Sequence, residues 1–186
     1  MDQWRACRRD SSKMQALRDL DLYGGGSLII AAASQARSDA IASLLDETAS
    51  PRRAVNAVGE GGATALHAAA AVSDDRAAES TAVIQSLLAN GADANAVDAF
   101  GFTPLHRAIQ ANNAESATLL LASGANLTIA TPGRDSPLHL AAYENAREIA
   151  QLLLAFGADP FARNDRGVAS FEVGLFDLSV PPHHMT

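Results

Sequence analysis

Three histidines are the first candidates for chemistry. His67, His106 and His139 each lie three residues after a hydroxyl residue, in segments of one form: TALHAAA at 64–70, TPLHRAI at 103–109 and SPLHLAA at 136–142. Imidazoles can ligate zinc or serve as general bases, so a metal or catalytic set is the reading to test. Cys7 is a second candidate, as a thiolate nucleophile. The run Gly24-Gly25-Gly26 is a third, as a phosphate loop, and His183-His184 a fourth, as a metal-binding pair. Three of these fall on local grounds. Cys7 has no His or acid at a diagnostic spacing. The glycine run lacks the following Lys-Ser/Thr and the preceding buried strand, and reads as a tight loop. The terminal His pair reads as a solvated tail, and no serine sits in a G-x-S-x-G elbow. No catalytic residue, metal ligand or cofactor site is assigned.

The histidines are explained by the elements around them. A second motif follows each one: LLANGADANA from Leu87, LLASGANLTI from Leu120 and LLAFGADPFA from Leu153. Gly91, Gly124 and Gly157 are spaced by 33 and 33, and His106 and His139 by 33. The interval from His67 to His106 is 39, and the extra six residues fall in VSDDRAAES, a lengthened turn between helices. Thr103 and Ser136 suit a helix N-cap, with Pro104 and Pro137 at the first helical position. Each second helix closes at a Gly placed for a left-handed residue. The unit is helix, short turn, helix, loop. Histidines at equivalent places in stacked helices lie about 10 Å apart, whereas one zinc ion needs its nitrogens within about 2.1 Å.

The 33-residue period and the histidine-containing helix start resemble the ankyrin repeat family. The expected fold is all-α: an ankyrin-repeat solenoid of stacked helix-turn-helix units with short β-turn loops, about four repeats plus terminal caps. The expected boundaries, all within one domain, are a degenerate capping helix pair at 1–26, repeat 1 at 27–60, and repeat 2 at 61–99 with the insertion. Repeat 3 follows at 100–132, repeat 4 at 133–165, and a truncated cap and tail at 166–186. In repeat 1 the closing Gly is replaced by Thr48 and the residues near SPRR enlarge the loop. The cap helix starts at Gly167 and runs to about Leu178. Leu87-Leu88, Leu120-Leu121 and Leu153-Leu154 fill the layer between the helix rows.

The resemblance implies that each imidazole hydrogen-bonds loop backbone between repeats. It also implies that loop tips and the exposed side of the first helices form a concave face that binds a partner protein. Carried over by alignment, that face holds Phe100, Phe102, Gln110, Asp135, Tyr143, Glu144 and Arg166, with Arg107 and Arg134 supplying the polar flank. Only nine residues are aromatic, and three fall at these exposed positions. Aromatics and arginine dominate interface hot spots, so an interface is the favoured reading; the alternative is that Phe100 and Phe102 cover neighbouring loops. Asp98, Asp135, Glu144 and Asp165 form an acidic rim suited to a basic or mixed partner. Arg134 stands where the family has the turn Gly, so the loop TPGRD should take a different backbone path. Asn56 and Asn95 occupy the loop position that asparaginyl hydroxylases modify in some members. Asn95, with Leu87 eight residues upstream, is the hydroxylation candidate, and hydrogen-bonding of the turn is the alternative.

Composition agrees and excludes other classes. Of 186 residues 40 are alanine, which suits short helices packed close together. No apolar stretch reaches the roughly 18 residues of a membrane span, and the N-terminus lacks a secretory apolar segment. One cysteine suggests a reducing compartment, the cytoplasm or nucleus. Residues 1–64 carry 8 basic and 8 acidic groups, leaving 6 against 13 beyond, a total net charge of −7. Nucleic-acid binding needs clustered cations, and none are present beyond Arg5, Arg8 and Arg9, interleaved with Asp2 and Asp10. The function expected is a non-enzymatic, monomeric protein-binding module acting as scaffold, targeting subunit or inhibitor. The alternatives are a small-molecule binder or enzyme with an unrecognised site, and a self-associating unit.

Overall fold

A computed structural model describes residues 25–46, 48 and 50–173. The expected capping pair at 1–26 lies outside the described residues but for Gly25 and Gly26, as does the tail beyond Val173. Gly25 and Gly26 are not loop: they open the first helix, α1 (Gly25–Ser34). Then come α2 (Ser38–Asp46), α3 (Pro51–Val55), α4 (Ala65–Ala70), α5 (Ala77–Ala89), α6 (Pro104–Gln110), α7 (Ala114–Ala122), α8 (Pro137–Tyr143) and α9 (Arg147–Ala155). Among the described residues there are no strands, only an isolated bridge between Arg163 and Ala169.

The helices form two rows. Pairs α1/α2, α4/α5, α6/α7 and α8/α9 each pack internally; α1, α4, α6 and α8 stack in one row and α2, α5, α7 and α9 in the other. The core is one continuous cluster running along the stack. Leu87, Leu120 and Leu153 are fully buried between the rows, and Leu88 and Leu154 only partly. Each full burial removes about 1.5–3 kcal/mol of apolar exposure. The alanines let the first-helix row close up: Ala33, Ala69, Ala108 and Ala141 have no exposed surface.

Local chemistry sets the helix starts. Thr64, Thr103 and Ser136 are N-caps in extended conformation, and in each case the histidine at the third helical position completes a capping box. Proline follows the cap in α6 and α8. In three of the four pairs the turn between helices takes a left-handed residue, supplied by Ala36, Asn112 and Asn145.

Three further expectations change. The residues around SPRR are not a plain enlarged loop, because Pro51 seeds the short helix α3. The insertion in repeat 2 makes a 3-10 turn at Asp74–Arg76 and then lengthens α5 to 13 residues, against 9 in α7. The C-terminal helix begins as a 3-10 segment, Ser170–Val173, and its expected course to Leu178 lies outside the described residues.

Candidate functional site

Four turns precede the first helices and the C-terminal segment: 59–63, 98–102, 131–135 and 164–168. In each, the first amide donates to the fifth carbonyl, at 2.8, 2.9, 3.0 and 3.1 Å in chain order. In each, the fourth residue is left-handed: Gly62 (φ 73°), Gly101 (81°), Arg134 (56°) and Gly167 (74°). The loop TPGRD therefore follows the common path, contrary to the sequence expectation. Arg134 accepts a conformation that costs a non-glycine residue about 1–2 kcal/mol, because the turn's hydrogen bonds hold it there.

The histidines are structural pins. In each capping box the cap residue's N–H donates to histidine Nδ1, at 3.2 Å for His67, 3.0 Å for His106 and 3.2 Å for His139. That leaves Nε2 as the protonated, donating nitrogen. His67 donates to the Phe102 carbonyl at 3.0 Å and His139 to that of Val168 at 2.9 Å, each reaching the next repeat. His106 does not: its buried Nε2 has no partner among the described residues. Burial pushes the His106 pKa down to about 4 and that of His67 below its ordinary value.

Asp98 organises the central turn. Its Oδ1 accepts from the amides of Phe100 and Phe102, both at 2.9 Å, and its Oδ2 pairs with Arg107. Burial would raise this carboxyl, but the Phe102 amide, the Arg107 guanidinium and the Phe100 amide hold it below the usual carboxylate range. Arg107 in turn lies 4.7 Å above the Phe102 ring, which meets His106 edge-on at 5.9 Å. Gln110 accepts a further hydrogen bond from Arg107 at 3.1 Å. Phe102 is thus half-buried under a cation and packed on the core. Phe100 is different: it stays 62% exposed. One edge lies over Gly61, where a Cβ would come within 3.2 Å of it.

A second network surrounds Tyr143, which is 42% exposed. Its hydroxyl receives hydrogen bonds from Arg166 at 2.6 Å and Asn164 at 3.2 Å and donates to Asp135 at 3.4 Å. Asn164 also donates to Asp135 at 2.6 Å, while its Oδ1 accepts from the amides of Arg166 and Val168, the role Asp98 plays two turns earlier. Arg134 pairs with Asp165 at 3.8 Å and Arg166 with Asp135 at 3.8 Å. Glu144 is exposed at the end of α8.

The site residues named from sequence therefore fall into two groups. Phe100, Phe102, Arg107 and Gln110 cluster around Asp98; Arg134, Asp135, Tyr143 and Arg166 cluster around Asn164. The acidic rim is not as expected: Asp98 is buried, and Asp98, Asp135 and Asp165 each face an arginine. Asn164 was missed, although it lies 33 residues after Thr131 and 66 after Asp98, at the same turn position.

Asn56 and Asn95 act as struts between repeats. Asn56 donates to the Gly91 carbonyl and accepts from the Asp93 amide, both at 2.8 Å; Asn95 does the same with Gly124 at 3.2 Å and Asn126 at 2.7 Å. A depression of about 630 Å³ is lined by Arg52, Asn56, Val58, Asn95 and Val97 among others, and its asparagines are occupied as these struts. No helix among the described residues is long and apolar enough to cross a membrane.

In comparison with known proteins, residues 75–164 match the ankyrin repeat family, in three copies. That span contains both residue clusters apart from Arg166. No curated protein is similar enough to count as a match.

Proposed function

Residues 75–164 are ankyrin repeats, generally protein–protein interaction modules and typically non-enzymatic, and on that premise we propose that this chain binds another protein on its concave face. The observation that carries the reading is Phe100: a large ring more than half exposed on a backbone that Asp98 holds rigid. A side chain carried on a backbone already fixed spares a partner the cost of ordering the loop. Tyr143, fixed by Arg166 and Asn164, offers a second such surface in the next repeat. Phe102, Arg107, Gln110, Arg134, Asp135, Glu144 and Arg166 frame these two. Because most charges of the face are paired internally, the complementary surface is an apolar one with hydrogen-bonding groups, rather than a basic one.

The partner is a different protein and the chain acts as a monomer, in the cytoplasm or nucleus, as a scaffold, targeting subunit or inhibitor. Asn95 has a structural duty as a strut; its hydroxylation is checked by intact-mass measurement on protein isolated from cells. The test of the binding face is affinity capture from native lysate read by mass spectrometry, with Phe100→Ala/Tyr143→Ala beside the wild type. Proteins retained by the wild type and lost by the variant, at unchanged helicity, support the face. Identical capture by both overturns it.

A further inference from the structure

Four kinds of polar link tie neighbouring repeats together, and they are unevenly distributed. The second helix pair (α4/α5) is joined to the third (α6/α7) by all four. The Ala99 amide donates to the Gly61 carbonyl across adjacent turns at 2.8 Å. His67 reaches the Phe102 carbonyl. The Asn95 strut reaches Gly124 and Asn126. Asn113 donates to the Val72 carbonyl at 2.9 Å and to Ser80 at 3.2 Å, with Ser80 and Ser116 in contact at 3.1 Å, and Asn113, Ser80 and Ser116 have no exposed surface.

The third pair meets the fourth (α8/α9) with each of these links missing. Position 132, equivalent to Ala99, is proline and has no N–H to offer the Phe100 carbonyl. His106 Nε2 is buried without a partner. Thr128 stands at the strut position, and its hydroxyl stays within its own loop on Asn126. Ala146, equivalent to Asn113, and Ile149, equivalent to Ser116, carry no polar group. Among the described residues no hydrogen bond or ion pair joins the turns 98–102 and 131–135. Beyond this junction the links resume: the Asp165 amide donates to Gly133, and His139 to Val168. What holds the third and fourth pairs together is apolar packing, which is non-directional.

We propose that the junction between the third and fourth helix pairs is a hinge, at which the solenoid bends as two blocks, residues 25–130 and 131–173. Apolar surfaces slide over small displacements at little cost, whereas each hydrogen bond fixes a distance and a direction. The hinge lies in the middle of the proposed binding face. Phe100 belongs to one block and Tyr143 to the other, so bending changes the spacing between the two rings. The inference concerns the free chain and stands apart from whether a partner binds there.

The test is double electron–electron resonance on the full chain carrying Cys7→Ser. One label pair replaces Ala82 and Gln151, exposed on α5 and α9. The control pair replaces Ala42 and Thr118, exposed on α2 and α7. Both pairs span two repeat junctions, about 20 Å at two helix spacings, but only the first crosses the hinge. The expected result is a broader distance distribution for 82–151 than for 42–118. It should lose that extra width in Thr128→Asn/Pro132→Ala, which restores the strut asparagine and the ladder amide found in the preceding repeat. Equal widths in the two wild-type pairs overturn the hinge. Extra width that persists in a folded Thr128→Asn/Pro132→Ala chain overturns its cause.

Discussion

Acid should unfold this protein through a histidine that never touches solvent. His106 has no exposed surface, and its pKa is pushed down to about 4 by burial. In the unfolded chain it returns to about 6.5. Between those values the unfolded state binds a proton that the folded state refuses, so stability falls as pH falls. Well above pH 6.5 neither state is protonated and the effect vanishes. By pH 5 the loss is about 2 kcal/mol, and below pH 4 it reaches about 3 kcal/mol, from a shift of roughly 2.5 units at 1.36 kcal/mol each. His67, also shifted down by burial, adds a loss of the same sign. The perturbation that isolates His106 is His106→Gln, because glutamine at the third helical position also completes a capping box without titrating. Urea unfolding at pH 7, 6 and 5, followed by circular dichroism, measures the difference. The wild type should lose about 2 kcal/mol more than His106→Gln between pH 7 and pH 5. Equal losses in the two proteins would refute the account of His106 as a buried neutral imidazole.

Three further substitutions probe the turns and the repeat links. Asp98→Ala strands the Phe100 and Phe102 amides and the Arg107 guanidinium, and should cost about 3 kcal/mol; Asp98→Asn, which keeps an acceptor for the amides, should cost less, as ranked by urea midpoints. Arg134→Gly relieves a left-handed residue and gives up only an exposed ion pair, so it should raise stability by up to about 1 kcal/mol, seen as a higher Tm; a lower Tm would count against strain at that turn. Asn113→Ala leaves Ser80 and the Val72 carbonyl buried without their partner and should cost about 2 kcal/mol, whereas Ala146→Gly, at the unlinked equivalent site, has no bridge to lose and should show only the backbone cost of glycine beside a helix.

The period was legible because three consecutive repeats present the same caps, leucines and closing glycine. That much follows from local rules: Thr103-Pro104 starts a helix and Ser123-Gly124 ends one. What stayed hidden involves groups far apart in sequence or conflicts settled by the fold. Arg134 reads as a break in the turn pattern, yet the Thr131–Asp135 and Arg134–Thr131 hydrogen bonds outweigh its preference against a left-handed backbone. Asp98 reads as a surface acid until Arg107, nine residues on, folds back over it. Asn113 and Ser80 are 33 residues apart, and nothing local says that both face one buried junction. The proposed face was half legible: Phe100 and Tyr143 are exposed, as alignment leads one to expect, while the charges around them are consumed in pairs that alignment does not reveal.

The proposed binding face is tested most directly by placing a photo-crosslinking amino acid at Phe100 and, in a separate chain, at Gln85, exposed on α5 in the second helix row. Irradiation in cells should yield a covalent adduct with a partner protein from position 100 and none from position 85. Adducts from position 85 alone, or from neither position, would contradict the assignment of the concave face.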